Sequence, residues 1–171
     1  GEQPKIANLT KLNTNESPFP PSPKVRAAII AALGSDGDSL RLYPDPDAVA
    51  LRQVIAQQQG LTADQVFVGN GSDEVLAHIF KAFFCQEKPL LYPEISYSFY
   101  PVYSQFFQLN TVAVPLADDF SIDITAYQQP NGGIIITNPN APTGMLLGLA
   151  EIEQVLQQHP DSLVVIDEAY I

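Results

Sequence analysis

Short apolar runs alternate with amphipathic stretches over most of the chain. After Gly60, five runs rich in Val, Ile and Leu have the length and composition of strands buried in a sheet. These predicted strands are residues 66–68, 90–92, 111–116, 134–136 and 163–166. Stretches with helical spacing of apolar residues lie between them, at 74–84, 102–109 and 149–158. The alternation predicts an α/β fold, a largely parallel sheet with helices on both faces.

The first 60 residues carry start and stop signals for two further helices. Ser22 precedes Pro23 and Asp45 precedes Pro46, and each pair is typical of an N-cap followed by proline at the first helical position. Glycine ends both patterns, at residues 34 and 60. We expect residues 1–34 to form an N-terminal arm and first helix, and residues 35–171 to form part of a larger domain.

Composition restricts the class of protein. Hydrophobic residues make up 46% and charged residues 16% of the chain, as in ordinary soluble globular proteins. A net charge of −11 argues against nucleic acid or an anionic membrane as partner. The single cysteine, Cys85, leaves no disulfide and is expected to be a small buried hydrophobe. With no apolar run of membrane-spanning length and no signal peptide, we expect a cytoplasmic protein.

A glycine-containing turn follows the first predicted strand and precedes a helix. Its sequence, residues 69–73, is Gly-Asn-Gly-Ser-Asp. Glycines allow close approach of the backbone to a ligand, and a helix N-terminus offers free N–H groups, so the turn could hold a phosphate. It could equally be a tight turn with Ser72 as a plain N-cap. Asp73 would repel a phosphate unless its side chain turns aside.

Three other polar or aromatic segments follow predicted strands. Tyr97 could present its ring to the crevice where open α/β sheets bind ligands, or it could pack in the core. Residues 138–144, Asn-Pro-Asn-Ala-Pro-Thr-Gly, form a rigid turn or a simple connecting loop in which Ala141–Pro142 is a candidate cis peptide. Asp167 directly follows the last strand. A buried carboxylate there needs a positive partner, unless it caps the next turn.

Together these strand ends offer an anion site, an aromatic face, a polar turn and a carboxylate. A flat, phosphorylated, cationic heterocycle would use all four, and pyridoxal 5′-phosphate is such a ligand. Neither His78 nor His159 has metal-ligand spacing with acidic residues, and no grouping suggests a hydrolase triad. A non-catalytic phosphate- or nucleotide-binding α/β module is the alternative, although such a module has no need of Asp167 and Tyr170.

Five motifs, in this order, resemble those of fold-type I pyridoxal-phosphate aminotransferases. They are Asn-Glu-Ser-Pro-Phe at 15–19, Arg-Leu-Tyr-Pro-Asp at 41–45, Gly-Asn-Gly-Ser-Asp-Glu at 69–74, Asn-Pro-Asn-Ala-Pro-Thr-Gly at 138–144 and Asp-Glu-Ala-Tyr at 167–170. Within the family, the sequence most resembles the members that act on histidinol phosphate. The resemblance runs from about residue 12 to the end.

The resemblance implies a cofactor site. Gly71, Ser72 and Asp73 would bind the phosphate of pyridoxal 5′-phosphate. Tyr97 would stack on the ring, and Asp167 would pair with the pyridine nitrogen. Tyr97 and Asp167 are thereby the expected catalytic residues of this chain, and no metal is expected.

The resemblance also implies contacts outside that group. Tyr170 would bond the ring hydroxyl, and Tyr43 would reach the phosphate bound by the other subunit of a homodimer. Asn15 and Glu16 are expected at the substrate. The substrates implied are small molecules, an amino-acid-like phosphate ester and a 2-oxo acid.

Two departures from the family pattern stand out. Most members have asparagine where this chain has Ala141, which leaves Tyr170 or Asn140 to bond the ring hydroxyl. The lysine to which the family attaches its cofactor lies beyond the aspartate strand, so we expect it after Ile171 and interpret the chain as the N-terminal part of an aminotransferase. The five lysines present are Lys5, Lys11, Lys24, Lys81 and Lys88.

The expected activity, by resemblance, is transfer of the amino group from histidinol phosphate to 2-oxoglutarate in histidine synthesis. An aromatic aminotransferase or a threonine-phosphate decarboxylase would share most of these motifs. The colour of a bound imine would distinguish all three from a nucleotide-binding module.

Overall fold

The computed structural model describes residues 5–12 and 15–170. The chain forms two compact units, residues 1–54 and residues 55–171. The expected division of the intact protein after residue 34 stays a prediction.

The first unit contains a helix whose start was predicted correctly. Helix α1 (Pro23–Leu33) begins after Ser22 and ends at Gly34, which has a φ of +67°. A 3₁₀ helix follows at Asp38–Arg41. The apolar face of α1, which includes Val25 and Ile29, is exposed in the described part of the chain.

Helix α2 (Val49–Gln59) starts later than its proline signal predicts. Asp45 does act as a cap, but its carboxylate accepts the N–H groups of Asp47 and Val49, at 3.0 and 2.8 Å. The intervening Ala48 has a φ of +46°, outside the helical region. The predicted start at Pro46 is therefore wrong by one turn.

The second unit has a four-stranded, fully parallel sheet among the described residues. Its strands are β1 (Leu90–Pro93), β2 (Thr111–Val114), β3 (Gly133–Thr137) and β4 (Leu163–Asp167). Their order across the sheet is β2-β1-β3-β4. The helices between and beside them are α3 (Ser72–Phe83), α4 (Phe99–Phe106), a 3₁₀ helix at Ile124–Tyr127 and α5 (Leu149–Gln158). The predicted parallel α/β fold is confirmed.

Two further predictions are wrong in the second unit, one about a strand and one about a side chain. Residues 66–68 are not a strand, and Phe67 is 65% exposed, with its ring edge-on to His78 at 5.7 Å. A strand exists only where a neighbouring backbone completes its hydrogen bonds, and the described sheet does not extend to this segment. Cys85 is exposed rather than buried, because α3 ends before it and Phe84 takes the buried position.

Two hydrophobic clusters cover the two faces of the sheet. One joins α3 and α4 to the sheet through Leu76, Phe80, Phe84, Leu90, Tyr92, Tyr100, Tyr103 and Ile135. The other joins α5 and the 3₁₀ helix to it through Leu91, Val114, Ile122, Tyr127, Ile134, Ile136, Leu147 and Val155. Neighbouring strand residues alternate between the clusters, as period-two geometry requires. Helices on both faces are thus confirmed.

The strand order changes direction at β1. The chain runs outward from β1 to β2, and then returns past β1 to β3 and β4. The first connection packs on one face and the later ones on the other. The carboxyl ends of β1 and β3 therefore border the kind of crevice in which open α/β sheets bind ligands.

None of the described helices combines the length and the hydrophobicity that a membrane-spanning helix requires.

Candidate functional site

The N-terminus of α3 presents unpaired backbone donors next to this crevice. Gly71 is the N-cap, and its φ of +84° is a conformation that favours glycine. The first helical hydrogen bond runs from Val75 N–H to Gly71 O. The N–H groups of Ser72, Asp73 and Glu74 therefore have no partner inside the helix. Such a helix start suits an anion.

The side chains around this turn leave those donors open. Ser72 is the first helical residue, and its hydroxyl does not cap the helix, so the plain N-cap reading of the sequence is wrong. The Glu74 carboxylate turns back to accept the N–H of Asn70. That contact uses the amide before the turn and none of the three that open the helix.

Asp73 turns toward Tyr97. The Tyr97 hydroxyl donates to Asp73 Oδ1 at 2.6 Å, and the Tyr103 hydroxyl donates to the Asp73 carbonyl at 2.9 Å. Burial and this bond to Asp73 raise the pKa of Tyr97. Tyr97 therefore remains a neutral aromatic ring at physiological pH, held in place from its hydroxyl end.

Asp167 is buried at the end of β4 and is held by neutral donors. The residue is 8% exposed. The Tyr100 hydroxyl donates to Oδ2 at 2.8 Å, and Ala169 N–H donates to Oδ1 at 3.3 Å. Among the described residues, the ion pairs do not include Asp167. A buried carboxylate in this state is complementary to a cation supplied by a ligand.

The turn after β3 is rigid, and Asn140 is its centre. Asn140 is fully buried; its Nδ2 donates to Ile95 O at 2.9 Å and to Thr143 Oγ1 at 3.2 Å. Its Oδ1 accepts from Ser96 Oγ at 3.0 Å. Both the Asn138–Pro139 and Ala141–Pro142 peptides are cis, so the cis prediction at Ala141 is confirmed.

The remaining predicted residues lie at the surface of their units. Tyr170 is half exposed. Tyr43 is completely exposed in the first unit. Asn15 is exposed with a φ of +52°, and Glu16 forms an ion pair with Lys11 at 2.5 Å.

Three residues of the site have no counterpart among the sequence predictions: Ser96, Tyr100 and Thr137. The Thr137 hydroxyl lies 2.9 Å from both Ser96 Oγ and Tyr100 Oη. Together they link Asp167 to Asn140 beneath the crevice. The sequence contained one signal for Thr137, which directly follows a predicted strand as Asp167 does. In the structure Thr137 ends β3, Asp167 ends β4, and the two are register partners.

The buried tyrosines give a test of this packing at alkaline pH. Burial raises the pKa of Tyr100 and of Tyr127, so both keep their protons in the folded protein above pH 10, where the unfolded chain loses them. The stability that they contribute is complete below about pH 10 and declines above it, by about 1.4 kcal/mol per pH unit for each tyrosine. Unfolding free energies measured from about pH 8 to about pH 11 should show the decline. Tyr127→Phe should make it less steep, and an unchanged slope in that variant would contradict the assignment.

Comparison with known proteins places this geometry in a family. Residues 7–171 match the family model described as aminotransferase class I and II. A curated histidinol-phosphate aminotransferase from Acinetobacter baumannii (strain SDF) is 69% identical over 171 residues, which are all of this chain and 47% of that protein. The chain thus spans about half the length of the curated relatives it matches.

Two solved structures illustrate the likeness of fold. A histidinol-phosphate aminotransferase from Sinorhizobium meliloti, in complex with pyridoxal-5′-phosphate, superposes with a TM-score of 0.79 and 26% identity, covering 91% of this chain and 42% of that one. An L-threonine-O-3-phosphate decarboxylase from Porphyromonas gingivalis gives 0.68 and 26%, covering 85% and 43%. The match of the family model to almost the whole sequence decides the assignment: the chain belongs to the class I and II aminotransferases.

Proposed function

We propose that the full-length protein is a pyridoxal-5′-phosphate-dependent aminotransferase that transfers the amino group of histidinol phosphate to 2-oxoglutarate in histidine synthesis. The substrate assignment is supported by relatives that are 61–69% identical over the whole chain and carry the name histidinol-phosphate aminotransferase. Because the chain spans about half of those relatives, the proposal concerns the protein at their full length.

The observation that carries the proposal is the Asp167 carboxylate. It is buried at the end of β4, next to the crevice between β1 and β3, and its donors are a phenol and a backbone amide. Neither donor neutralises its charge. A pyridine ring that carries a proton on its nitrogen supplies the missing positive partner.

The other residues of the site fit the rest of that cofactor. The open N–H groups of Ser72, Asp73 and Glu74 suit its phosphate, and the tethered ring of Tyr97 offers a face for stacking. Tyr170 is the residue that we assign to the ring hydroxyl. Asn140 has both amide hydrogens and its oxygen engaged within the protein, so we assign it to holding the turn.

Pyridoxal 5′-phosphate supplies an electron sink for the carbanion formed at the substrate α-carbon. In this chain Asp167 keeps the proton on the pyridine nitrogen, which makes the sink more effective. Tyr97 fixes the plane of the ring, and the α3 N-terminus fixes its phosphate end. Groups that are oriented before the reaction lower its activation barrier, because no further entropy is lost in ordering them during the chemical step.

The lysine for this chemistry is proposed to follow the described residues. All five lysines of the chain precede β4, whereas the family's lysine follows the aspartate strand. Reduction of the full-length holoprotein with borohydride should attach the cofactor to a lysine beyond residue 171. Attachment to one of the five lysines in this chain would contradict the proposal.

We also propose a homodimer in which Tyr43 contacts the cofactor phosphate of the partner subunit, with Asn15 and Glu16 at the substrate. Tyr43 supports this because it is fully exposed and has a polar end suited to a phosphate. Tyr43→Phe should weaken cofactor binding severalfold without changing the molecular mass measured by light scattering. A full-length protein that is monomeric and still binds cofactor fully would contradict the dimer.

We further propose that the protein acts in the cytoplasm. Its single cysteine is compatible with a reducing compartment.

The test of function is the product formed. Full-length protein incubated with histidinol phosphate and 2-oxoglutarate should release glutamate and show the visible absorption of a lysine-bound cofactor. Threonine phosphate serves as the competing substrate, since a decarboxylase is among the structural neighbours. Release of carbon dioxide from threonine phosphate, without formation of glutamate, would show that the protein is a decarboxylase and would contradict the proposed transamination. A colourless protein that binds a nucleotide would overturn the proposed function.

A further inference from the structure

Three hydroxyl groups form a continuous chain between Asp167 and Asn140. The contacts run from Asp167 Oδ2 to Tyr100 Oη at 2.8 Å, from Tyr100 Oη to Thr137 Oγ1 at 2.9 Å, and from Thr137 Oγ1 to Ser96 Oγ at 2.9 Å. The last contact, at 3.0 Å, joins Ser96 Oγ to Asn140 Oδ1. Four hydrogen-bond distances thus connect five side chains.

The ends of this chain can only accept. A carboxylate oxygen of ionised Asp167 has no hydrogen, and neither has the amide oxygen of Asn140. The orientation of the Asn140 amide is fixed independently, because its Nδ2 donates to the Ile95 carbonyl at 2.9 Å. If the amide were reversed, two carbonyl-type oxygens would face each other at that distance.

The chain therefore has three hydrogens for four contacts. Tyr100 donates to Asp167, and Ser96 donates to Asn140, so neither has a hydrogen left for Thr137. Burial raises the pKa of Tyr100, so its hydroxyl keeps the hydrogen that it donates. The one hydrogen of Thr137 goes either to Tyr100 or to Ser96.

These two arrangements differ in their effect on Asp167. When Thr137 donates to Tyr100, the phenol is polarised and becomes a stronger donor to the carboxylate, as in cooperative hydrogen-bond chains. When Thr137 donates to Ser96, that support is lost. A hydrogen bond to the charged form of an acid favours that form, so stronger donation to Asp167 favours its pairing with a protonated ring nitrogen.

We propose that Tyr100 and Thr137 are positioning residues for Asp167. The Thr137 hydroxyl adjusts the charge on the cofactor ring by donating its hydrogen either to Tyr100 or to Ser96. This inference rests on the proposed function, since it requires a pyridine nitrogen at Asp167. It assigns no contact with substrate or cofactor to any of the three hydroxyls.

The experiment uses the full-length holoprotein, loaded with cofactor labelled with nitrogen-15 in the ring, and three variants. Tyr100→Phe should move the nitrogen signal toward that of neutral pyridine and lower turnover about tenfold, because it removes a bond to a charged group. Thr137→Val should move the signal in the same direction by a smaller amount. Ser96→Ala should move it in the opposite direction, because Thr137 then has Tyr100 as its remaining acceptor in the chain.

Tyr127→Phe is the matched control. Tyr127 is as buried as Tyr100, on the opposite face of the sheet, and its hydroxyl has no hydrogen-bond partner among the described residues. Its substitution should leave both the nitrogen signal and turnover unchanged. A Tyr100→Phe variant that lowers the unfolding midpoint but leaves the nitrogen signal of the parent would overturn the inference. If that variant does not fold, the opposite signs expected for Thr137→Val and Ser96→Ala decide the question.

The failures of the two proposals can be distinguished. A parent protein that takes up no cofactor overturns both. If Asp167→Asn abolishes turnover while the three hydroxyl variants all behave like the control, the proposed function stands and the inference falls.

Discussion

Asp167→Asn in the full-length protein is expected to lower turnover by about a hundredfold or more, equivalent to about 2.7 kcal/mol of barrier. Asparagine keeps the shape of the side chain and can still accept the Tyr100 hydroxyl through its oxygen. It removes the negative charge that pairs with a protonated ring nitrogen. Its amide group would also face Ala169 N–H, so the weaker of the two bonds to residue 167 is lost. Cofactor binding should weaken as well, while the fold is retained.

The measurement is glutamate formation from histidinol phosphate and 2-oxoglutarate, together with a cofactor titration. Asp161→Asn is the control, because Asp161 is an exposed aspartate shortly before the same strand. It removes the same charge without touching the site. Turnover of Asp167→Asn within about threefold of the parent, well under about 1 kcal/mol, would show that the carboxylate has another role.

Gly133→Ala is expected to destabilise the protein by about 1–3 kcal/mol. Gly133 begins β3, and a Cβ added there would lie 2.3 Å from Cε1 and 2.7 Å from Cδ1 of Phe84. Phe84 is itself buried and packs edge-on to Phe80 at 5.5 Å, so its ring has no open space to enter. The Leu163 carbonyl on β4 lies 3.3 Å from the position of the added Cβ, which prevents β3 from shifting away from Phe84.

The adjacent glycine provides the control. The three atoms nearest to a Cβ on Gly132 belong to the side-chain end of Gln86, which is exposed and can move aside at the loss of its hydrogen bonds to two backbone carbonyls. Gly132→Ala should therefore cost less than Gly133→Ala in denaturant unfolding of the full-length protein. Combining Gly133→Ala with Phe84→Leu should recover part of the loss, because residues in contact do not act additively. Equal losses at the two glycines would refute the steric explanation.

The sheet could be predicted because each of its strands is a run of apolar residues that can be recognised without the rest of the chain. Runs such as Ile134–Ile136 and the apolar residues before Asp167 need no knowledge of the rest of the chain, and four of the five predicted strands exist. Residues 66–68 have a similar pattern but are not a strand. Strand formation depends on a partner backbone, and no local pattern reveals whether one is present.

The candidate site was predictable where a residue stands at the end of a strand. Asp167 and Tyr97 were candidates for the crevice because parallel strands end at the same edge of a sheet, although a helix cap and core packing stayed open as alternatives. Tyr100 and Ser96 could not be distinguished from packing residues, since their roles come from contacts across 37 to 67 positions of sequence. Asn140 was placed correctly in the turn, but its complete internal bonding was not visible in the sequence.

The pairing of Thr137 with Asp167 also bears on how the sheet reaches its correct alignment. Val164, Val165 and Ile166 are so alike that the apolar part of β4 would fit β3 nearly as well after sliding by one residue. Only the observed alignment brings the Asp167 carboxylate to Tyr100; in a strand shifted by one residue the carboxylate would turn to the other face, and the phenol would keep Thr137 as its partner. We therefore expect the pairing of Asp167 with Tyr100 to favour the observed register over the shifted one during folding, so that a variant without these polar groups should form more misaligned molecules.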